Sequence, residues 1–496
     1  MKKLLVAALF VVLASPAFAA IQNVKVSGDI TTSYINTENM DLGANLNTYV
    51  PAGEKKQNVF LTQTRLRVDA DLSDNVSTTV GLINERAWNS ETCTNGGIPN
   101  SNCDTNVQLY LASLTLREFL YSPLTVTIGR QVFSYGNGLI QGDGGPINSG
   151  SGNLASIYAD LNERTAYDGV KATLDYKPLS IDLIYFKYGQ NYGSIAGSSV
   201  SNPEQSADVY GYDANYTLSD PWNTVVEQYL FTRINGSGFN SGLTTTGGDS
   251  ITGQGKGSTL FIPGLRASTN PTKSLNVQGE VAWELGNVPV TAINGTTGSA
   301  LSPNENEAEH RDAMAAQLLA TYSLPVLEKY KPSVSASYTY VSGDKNAAEN
   351  YDGSAVKSAK TYTAWDEFDT IQGAGTIYRA LFNLSNENIL SVGASASPLE
   401  DVTAGVTWTG LWAATPYSVQ NPLTLLQPNG LGNITEPVGP KDAYWLGNET
   451  DLNVTYNYTE DVTFGLSVGW FVPGDVFTAN NKDTASQAIA NVGVKF

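Results

Sequence analysis

The chain has 496 residues, with 28 Lys and Arg against 47 Asp and Glu, a formal charge of −19, one His and two Cys. The acidic balance speaks against a nucleic-acid partner, two Cys cannot build a Cys₄ zinc site, and one His leaves little room for a two-His mechanism. A soluble chain of this length would ordinarily divide into several domains.

Residues 1–19 read as a secretory signal. Lys2 and Lys3 form a positive start, Leu4 to Leu13 an apolar stretch, and Ala17-Phe18-Ala19 a small-x-small cleavage site. Residues 20–496 are expected to form one domain. No later segment has the roughly 18 consecutive apolar residues of a spanning helix.

The rest of the chain alternates. From Thr62 to Leu72, Thr64, Leu66, Val68, Ala70 and Leu72 hold one parity, and Gln63, Arg65, Arg67, Asp69 and Asp71 the other. From Ser274 to Gly286, Val277, Val281, Trp283 and Leu285 oppose Gln278, Glu280 and Glu284. Leu452, Val454 and Tyr456 oppose Glu449, Asp451 and Asn453. Such rows are strands with one apolar and one polar face.

The pattern predicts eighteen strands, at 24–35, 58–72, 75–85, 107–118, 123–131, 164–177, 180–189, 206–218, 222–233, 258–270, 273–286, 310–323, 332–341, 387–398, 401–412, 443–458, 461–471 and 486–496. Pro263 and Gly264 weaken the segment 258–270, and 376–385 is an alternative to 387–398. Short turns such as Ser73-Asp74 and Thr459-Glu460 alternate with long polar loops near 36–57, 86–106, 132–163, 190–205, 234–257, 287–309, 342–375, 413–442 and 472–485. An even strand number with short turns on one side and long loops on the other is the asymmetry of an outer-membrane barrel.

Alternation alone does not say which face points out. The signal, the loop asymmetry and the aromatics decide for an apolar exterior. Tyr34, Tyr216, Tyr340, Trp412, Tyr458 and Trp470 sit at row ends, as interfacial girdles do. The expected fold is an all-β transmembrane antiparallel barrel in the outer membrane of a Gram-negative bacterium, embedded in lipid and lipopolysaccharide. Near-neutral hydropathy hides such a protein, because its two faces average out.

Several stretches resemble the alginate export family of outer-membrane barrels. They are Ile128-Gly129-Arg130-Gln131 with Tyr135-Gly136-Asn137-Gly138, Lys331-Pro332 leading into Tyr338 to Asp344, Phe368-Asp369, and Leu446 to Asp451 followed by Phe471-Val472-Pro473-Gly474-Asp475. They recur in the family's order over most of the chain. The resemblance implies 18 strands and a passive conduit for an anionic polysaccharide, lined by Arg and Lys, partly closed by loops, and working with periplasmic secretion partners.

Parity places Arg65, Arg67, Asp69, Asp71, Arg117, Lys171, Arg233, Asp213, Glu227, Glu280, Glu284, Glu449 and Asp451 on the lumen face. These charges either set a field that selects permeants or pair across strands and stiffen the wall. Arg130 has the parity of Leu124, Val126 and Ile128, so the pattern faces it to lipid. The resemblance makes Arg130 and Gln131 lumen residues. A bulge or the strand's exit would turn Arg130 inward and avoid a cost of roughly 2–4 kcal/mol at the bilayer midplane.

The Gly-rich loop 132–163 is either a constriction folded into the lumen or a surface loop. Cys93 and Cys103 share one loop in an oxidising compartment, so a disulfide between them is expected. His310 follows Glu305, Glu307 and Glu309. It reads as a surface residue rather than the base of a barrel hydrolase. These acids, with Asp366, Glu367 and Asp369, offer oxygen ligands to Ca²⁺ but lack the twelve-residue calcium-loop pattern. No metal site, cofactor or enzymatic activity is expected. The functional expectation is a passive channel for a polysaccharide or another small hydrophilic solute. Inward acids outnumber bases, which fits a polyanion poorly. The alternative is a closed barrel acting as adhesin or receptor through its loops.

Overall fold

A computed structural model describes residues 23–40, 42–43, 56–88, 94–95, 98–99, 107–142, 166–188, 207–235, 258–289, 308–345, 361–368, 370, 372–381, 384–417, 443–477 and 482–496. All eighteen expected strands are present. They are β1 (Asn23–Glu38), β2 (Lys56–Ser73), β3 (Val76–Ala87), β4 (Gln108–Leu116), β5 (Leu124–Gln131), β6 (Tyr167–Asp175), β7 (Leu179–Tyr188), β8 (Ala207–Thr217), β9 (Val225–Asn235), β10 (Ser258–Thr272), β11 (Leu275–Pro289), β12 (Ala308–Ser323), β13 (Ser333–Val341), β14 (Glu387–Leu399), β15 (Val402–Tyr417), β16 (Ala443–Asn457), β17 (Val462–Pro473) and β18 (Ala485–Lys495).

Each strand pairs antiparallel with its neighbours in sequence, and β18 pairs with β1 from Asp29↔Lys495 to Glu38↔Ser486. The sheet therefore closes and leaves no free edge. That is what a lipid environment demands of backbone polar groups. No helix among the described residues is long and apolar enough to cross a membrane; the strands do the crossing. The segment 376–385, an alternative strand on pattern, instead holds a short helix, α1 (Ile377–Leu381). It lies inside the barrel, so β14 is the strand that completes the wall.

The burial order is inverted relative to a water-soluble protein. Leu318 is 56% exposed and Val392 50%, whereas Glu284 and Glu449 are fully buried. The expected apolar rows face outward and the polar rows face the lumen. Aromatic rings gather at the row ends. Phe60 lies 4.8 Å from Tyr34 and 4.7 Å from Trp88, and Trp412 lies 4.9 Å from Trp445.

The interior also holds an apolar core. Phe186, Phe231, Ile262, Val341, Ile389, Leu411 and Phe471 project inward from the wall between β7 and β17. They pack on Phe133, Leu139, Ile140, Trp365, Phe368 and Ile377, which belong to connecting segments. An 18-stranded barrel is too wide for wall side chains to fill. Inserted chain fills this part.

Candidate lumen constriction

Two segments enter the barrel. The first, 132–142, follows β5. Phe133 stacks on Phe186 at 4.6 Å, and Leu139 and Ile140 are buried. Gly136 and Gly138 hold φ of +56° and +72°, a region that favours Gly. They fold this stretch back on itself, and the amide of Tyr135 donates to the carbonyl of Gln141 at 3.1 Å.

The second segment, 361–381, starts as an extension of the sheet. The amide of Tyr362 donates to the carbonyl of His310 at 2.7 Å, and that of Asp312 to Tyr362 at 3.0 Å. The chain then dips inward through Trp365 and Phe368 to α1. The two segments meet within the lumen. The Thr370 hydroxyl donates to the carbonyl of Gly138 at 2.9 Å, and the Gln372 side-chain amide to the carbonyl of Asn137 at 2.7 Å. Gln317 on β12 holds Gln372, and Arg266 on β10 donates to the side-chain oxygen of Asn137 at 3.0 Å.

Charged wall residues anchor the second segment. The Glu449 carboxylate accepts from the backbone amides of Thr376, Ile377 and Tyr378 at 2.6, 2.8 and 2.8 Å. It thus satisfies the orphan amides at the start of α1. Gly375, at φ +65°, permits the approach: a Cβ there would lie 2.2 Å from the Glu449 carboxyl carbon. Asp451 accepts from the Thr376 hydroxyl at 3.0 Å.

On the other side, Arg311 bridges Glu284 at 3.0 Å and Asp366 at 3.3 Å. Arg233 bridges Asp366 at 2.9 Å and lies over the Phe368 ring at 5.4 Å. Burial pushes the Asp366 carboxyl up, but Arg233 and Arg311 outweigh it and hold the group below the usual carboxylate range. Burial raises the neighbouring Glu367 to about 7, against the pull of a hydrogen bond from the Leu384 amide and of the Arg379 charge. Burial likewise raises Tyr362 and Tyr135.

Toward the short-turn side, the lumen is lined by polar pairs. Arg266 donates to Glu227 at 2.8 Å and Gln278 at 2.7 Å. The Tyr229 hydroxyl donates to Glu280 at 2.6 Å. Lys171 lies 3.9 Å from Asp182. On β1 and β2, Arg65 bridges Asp29 at 2.8 Å and Arg67 bridges Asp69 at 2.7 Å. Among the described residues the larger apolar core takes none from β2, β3 or β4, and Arg67 keeps 47% of its side-chain exposure. Arg117 lies 4.0 Å from Asp71, at the strand end.

These placements divide the residues that the sequence singles out. Arg65, Arg67, Asp69, Asp71, Arg117, Lys171 and Glu280 line the wall in pairs. Arg233, Glu284, Glu449 and Asp451 hold the inserted segment. Gln131 faces inward but is buried, its amide donating to the carbonyl of Thr127 at 3.1 Å.

Arg130 is a correction. The ladder runs through it without a register shift, opposite Ala112 and Asp168. It therefore stays on the outward row of Ile128. It lies at the last turn of the wall, bridged to a 70%-exposed Asp168 at 3.4 Å, so the midplane penalty does not arise. His310 is exposed beside Arg311. Of the acids considered for Ca²⁺, Asp366 is held by two arginines and Glu367 by the Leu384 amide. Glu305, Glu307 and Asp369 lie outside the described residues, as do Cys93, Cys103, the rest of loop 132–163 and the expected signal, residues 1–19.

Arg266, Arg311 and Asp182 escaped sequence reasoning, and Asn137 entered it only within the motif Tyr135-Gly136-Asn137-Gly138. Arg266 alternates with Leu265 and Ala267 and so has lumen parity, but Pro263 and Gly264 obscure its strand. The position of Asn137 depends on a loop entering the barrel, which no parity reports.

The alginate export family matches residues 44–491 of the chain. A comparison with curated proteins returns no match. Solved structures with a similar fold include Acinetobacter baumannii OccAB1, at 12% identity and TM-score 0.52 over 96% of this chain and 97% of that one. Pseudomonas aeruginosa OccK3 (OpdO) is similar at 9% identity and TM-score 0.51, over 96% and 97% of the two chains. The outer membrane protein opdK of the same organism is similar at 9% and 0.52, over 96% and 99%. At these identities the likeness is one of fold. With an 18-stranded barrel, a polar lumen and a match over most of its length, this chain belongs to the alginate export family of Gram-negative outer-membrane channels.

Proposed function

We propose that the barrel is a passive channel for small hydrophilic solutes, preferring cations and excluding long polyuronate chains. The observation that carries this reading is the charge of the lumen beside the two inserted segments. Asp182, Asp213, Glu227 and Glu280 project there, and Arg266 and Lys171 are the bases among them. A uronate carboxylate passing at about 4 Å from an unmatched wall carboxylate meets a repulsion of about 1 kcal/mol in water and about 4 kcal/mol at an effective dielectric of 20. A polyuronate repeats that cost at every sugar. A neutral or cationic solute does not.

Planar-bilayer recording of the purified protein under a KCl gradient tests the proposal. The expected result is a steady conductance with a reversal potential of cation-selective sign, unaltered by added oligouronate. Anion selectivity or concentration-dependent oligouronate block overturns it in favour of polyanion export. Absence of any conductance, with loop-dependent ligand binding, overturns it in favour of a surface receptor.

A further inference from the structure

Four consecutive strands, β5 to β8, carry a row of alternating charge on the outside of the barrel. Arg130 stands opposite Asp168, and Lys187 opposite Asp208. The chain neighbours Tyr167, Phe186 and Val209 belong to the interior core, so Asp168, Lys187 and Asp208 face away from it, as Arg130 does. Arg130 bridges Asp168 at 3.4 Å. Lys187 bridges Asp208, which also accepts from the Tyr185 hydroxyl at 3.0 Å.

All four residues lie at the ends of their strands that adjoin the long connections. Toward the short turns, the outward rows of β5 to β8 carry no charge. Ile128 and Leu183 are exposed there, and Tyr185 and Tyr210, with rings 5.0 Å apart, lie one step below the charged row. The order apolar, aromatic, charged follows a membrane from acyl chains to head groups. Long connections mark the extracellular side, so the row meets the outer leaflet.

The existing pairs leave room for a ligand. Asp168 is 70% exposed, and an exposed bridge contributes at most about 1 kcal/mol. A guanidinium carries five N–H donors and an ammonium three, so each base can serve a phosphate as well as its carboxylate. Arg130 and Lys187 stand two strand spacings apart, about 10 Å. A head group with a single phosphate engages one base and meets the adjoining acid. A glycolipid with a phosphate at each end of a disaccharide engages both bases, while its sugar hydroxyls donate to Asp168 and Asp208.

We propose that this row is a binding site for the bisphosphorylated disaccharide head group of lipopolysaccharide, with Arg130 and Lys187 as the residues that hold its phosphates. The site depends on the outer-membrane placement of the barrel and is independent of the channel reading.

Native mass spectrometry of the purified protein in detergent, titrated with hexa-acylated bisphosphoryl lipid A, tests it. The expected result is saturable binding that Arg130→Gln with Lys187→Gln weakens about tenfold or more, the loss of at least one charge-assisted bond. Lys273→Gln, in a short turn at the opposite end, should leave binding unchanged. Lipid A without its phosphates, and phosphatidylglycerol with one, should each bind the wild-type protein at least about tenfold more weakly. These comparisons need no variant, and Arg130→Gln alone serves if the double variant does not fold. Equal binding of lipid A with and without phosphates, or unchanged binding in a folded variant, overturns the site. Equal binding of phosphatidylglycerol overturns it in favour of a general contact with anionic lipid.

Discussion

The hydroxyl of Thr370 donates to the carbonyl of Gly138 at 2.9 Å, joining two segments 232 residues apart inside the barrel. Neither segment belongs to the wall, and each is polar where it meets the other. A contact of this kind is worth only about 0.5–1.5 kcal/mol net, so it sets a position without locking it.

Thr370→Val should therefore leave the barrel folded and loosen the junction. The expected outcome is a larger or noisier single-channel conductance, with the thermal midpoint of the barrel nearly unchanged. Gln372→Leu, which loses the bond to Asn137 at 2.7 Å, should act in the same direction.

The anchor at Glu449 is stronger. It serves three backbone amides, and hydrogen bonds to charged groups contribute about 1.5–3 kcal/mol each. Glu449→Ala should release 372–381 while sparing the wall. Hydrogen exchange should show the amides of Thr376, Ile377 and Tyr378 opening at least about 2 kcal/mol more easily. Gly375→Ala should do the same, since its Cβ would displace the carboxylate.

Arg311 is 8% exposed, and its partner Glu284 is fully buried. Arg311→Ala should strip Glu284 of its counter-charge and cost about 3–5 kcal/mol in denaturant unfolding. The double variant Arg311→Met with Glu284→Gln should recover most of that loss, because no buried charge remains unpaired on that side.

The segment 361–384 should respond to pH on both sides. Asp366 is held below the ordinary carboxylate range. Its stabilisation is present above that range and fades as pH falls through it. Glu367 is raised to about 7. Between its unfolded value and about 7 the folded segment binds more protons than the open one, so stability falls as pH rises. Exchange of the Leu384 amide, corrected for intrinsic rate, should be slowest in the mildly acidic range. Glu367→Gln should remove the loss on the alkaline side only.

Arg130→Gln should leave the reversal potential unchanged. The residue pairs with Asp168 on the outward face, where an exposed bridge contributes at most about 1 kcal/mol. A shifted selectivity would place its guanidinium in the passage instead.

The wall was legible because its physics is local. A strand in lipid must alternate, so Leu66 and Arg67, or Trp283 and Glu284, report their faces from sequence alone. Even Pro263 and Gly264 did not prevent β10 from forming between Val226 and Gly279. Arg130 was misplaced because the resemblance suggested an inward turn, while an uninterrupted ladder and a rim position made one unnecessary. The sites were less legible. Glu449 and Asp213 were both recognised as inward acids, yet one anchors a helix and the other bonds to Glu227.

Sequence by itself determined the strand number, the outward and inward rows and the excess of acid, because each depends on residue type and a period of two. Only the tertiary structure decided which charges pair and which segments enter the lumen. Those outcomes depend on register across strands and on contacts such as Thr370 with Gly138, between residues far apart in the chain. Barrel closure brings them together, and no local pattern encodes that meeting.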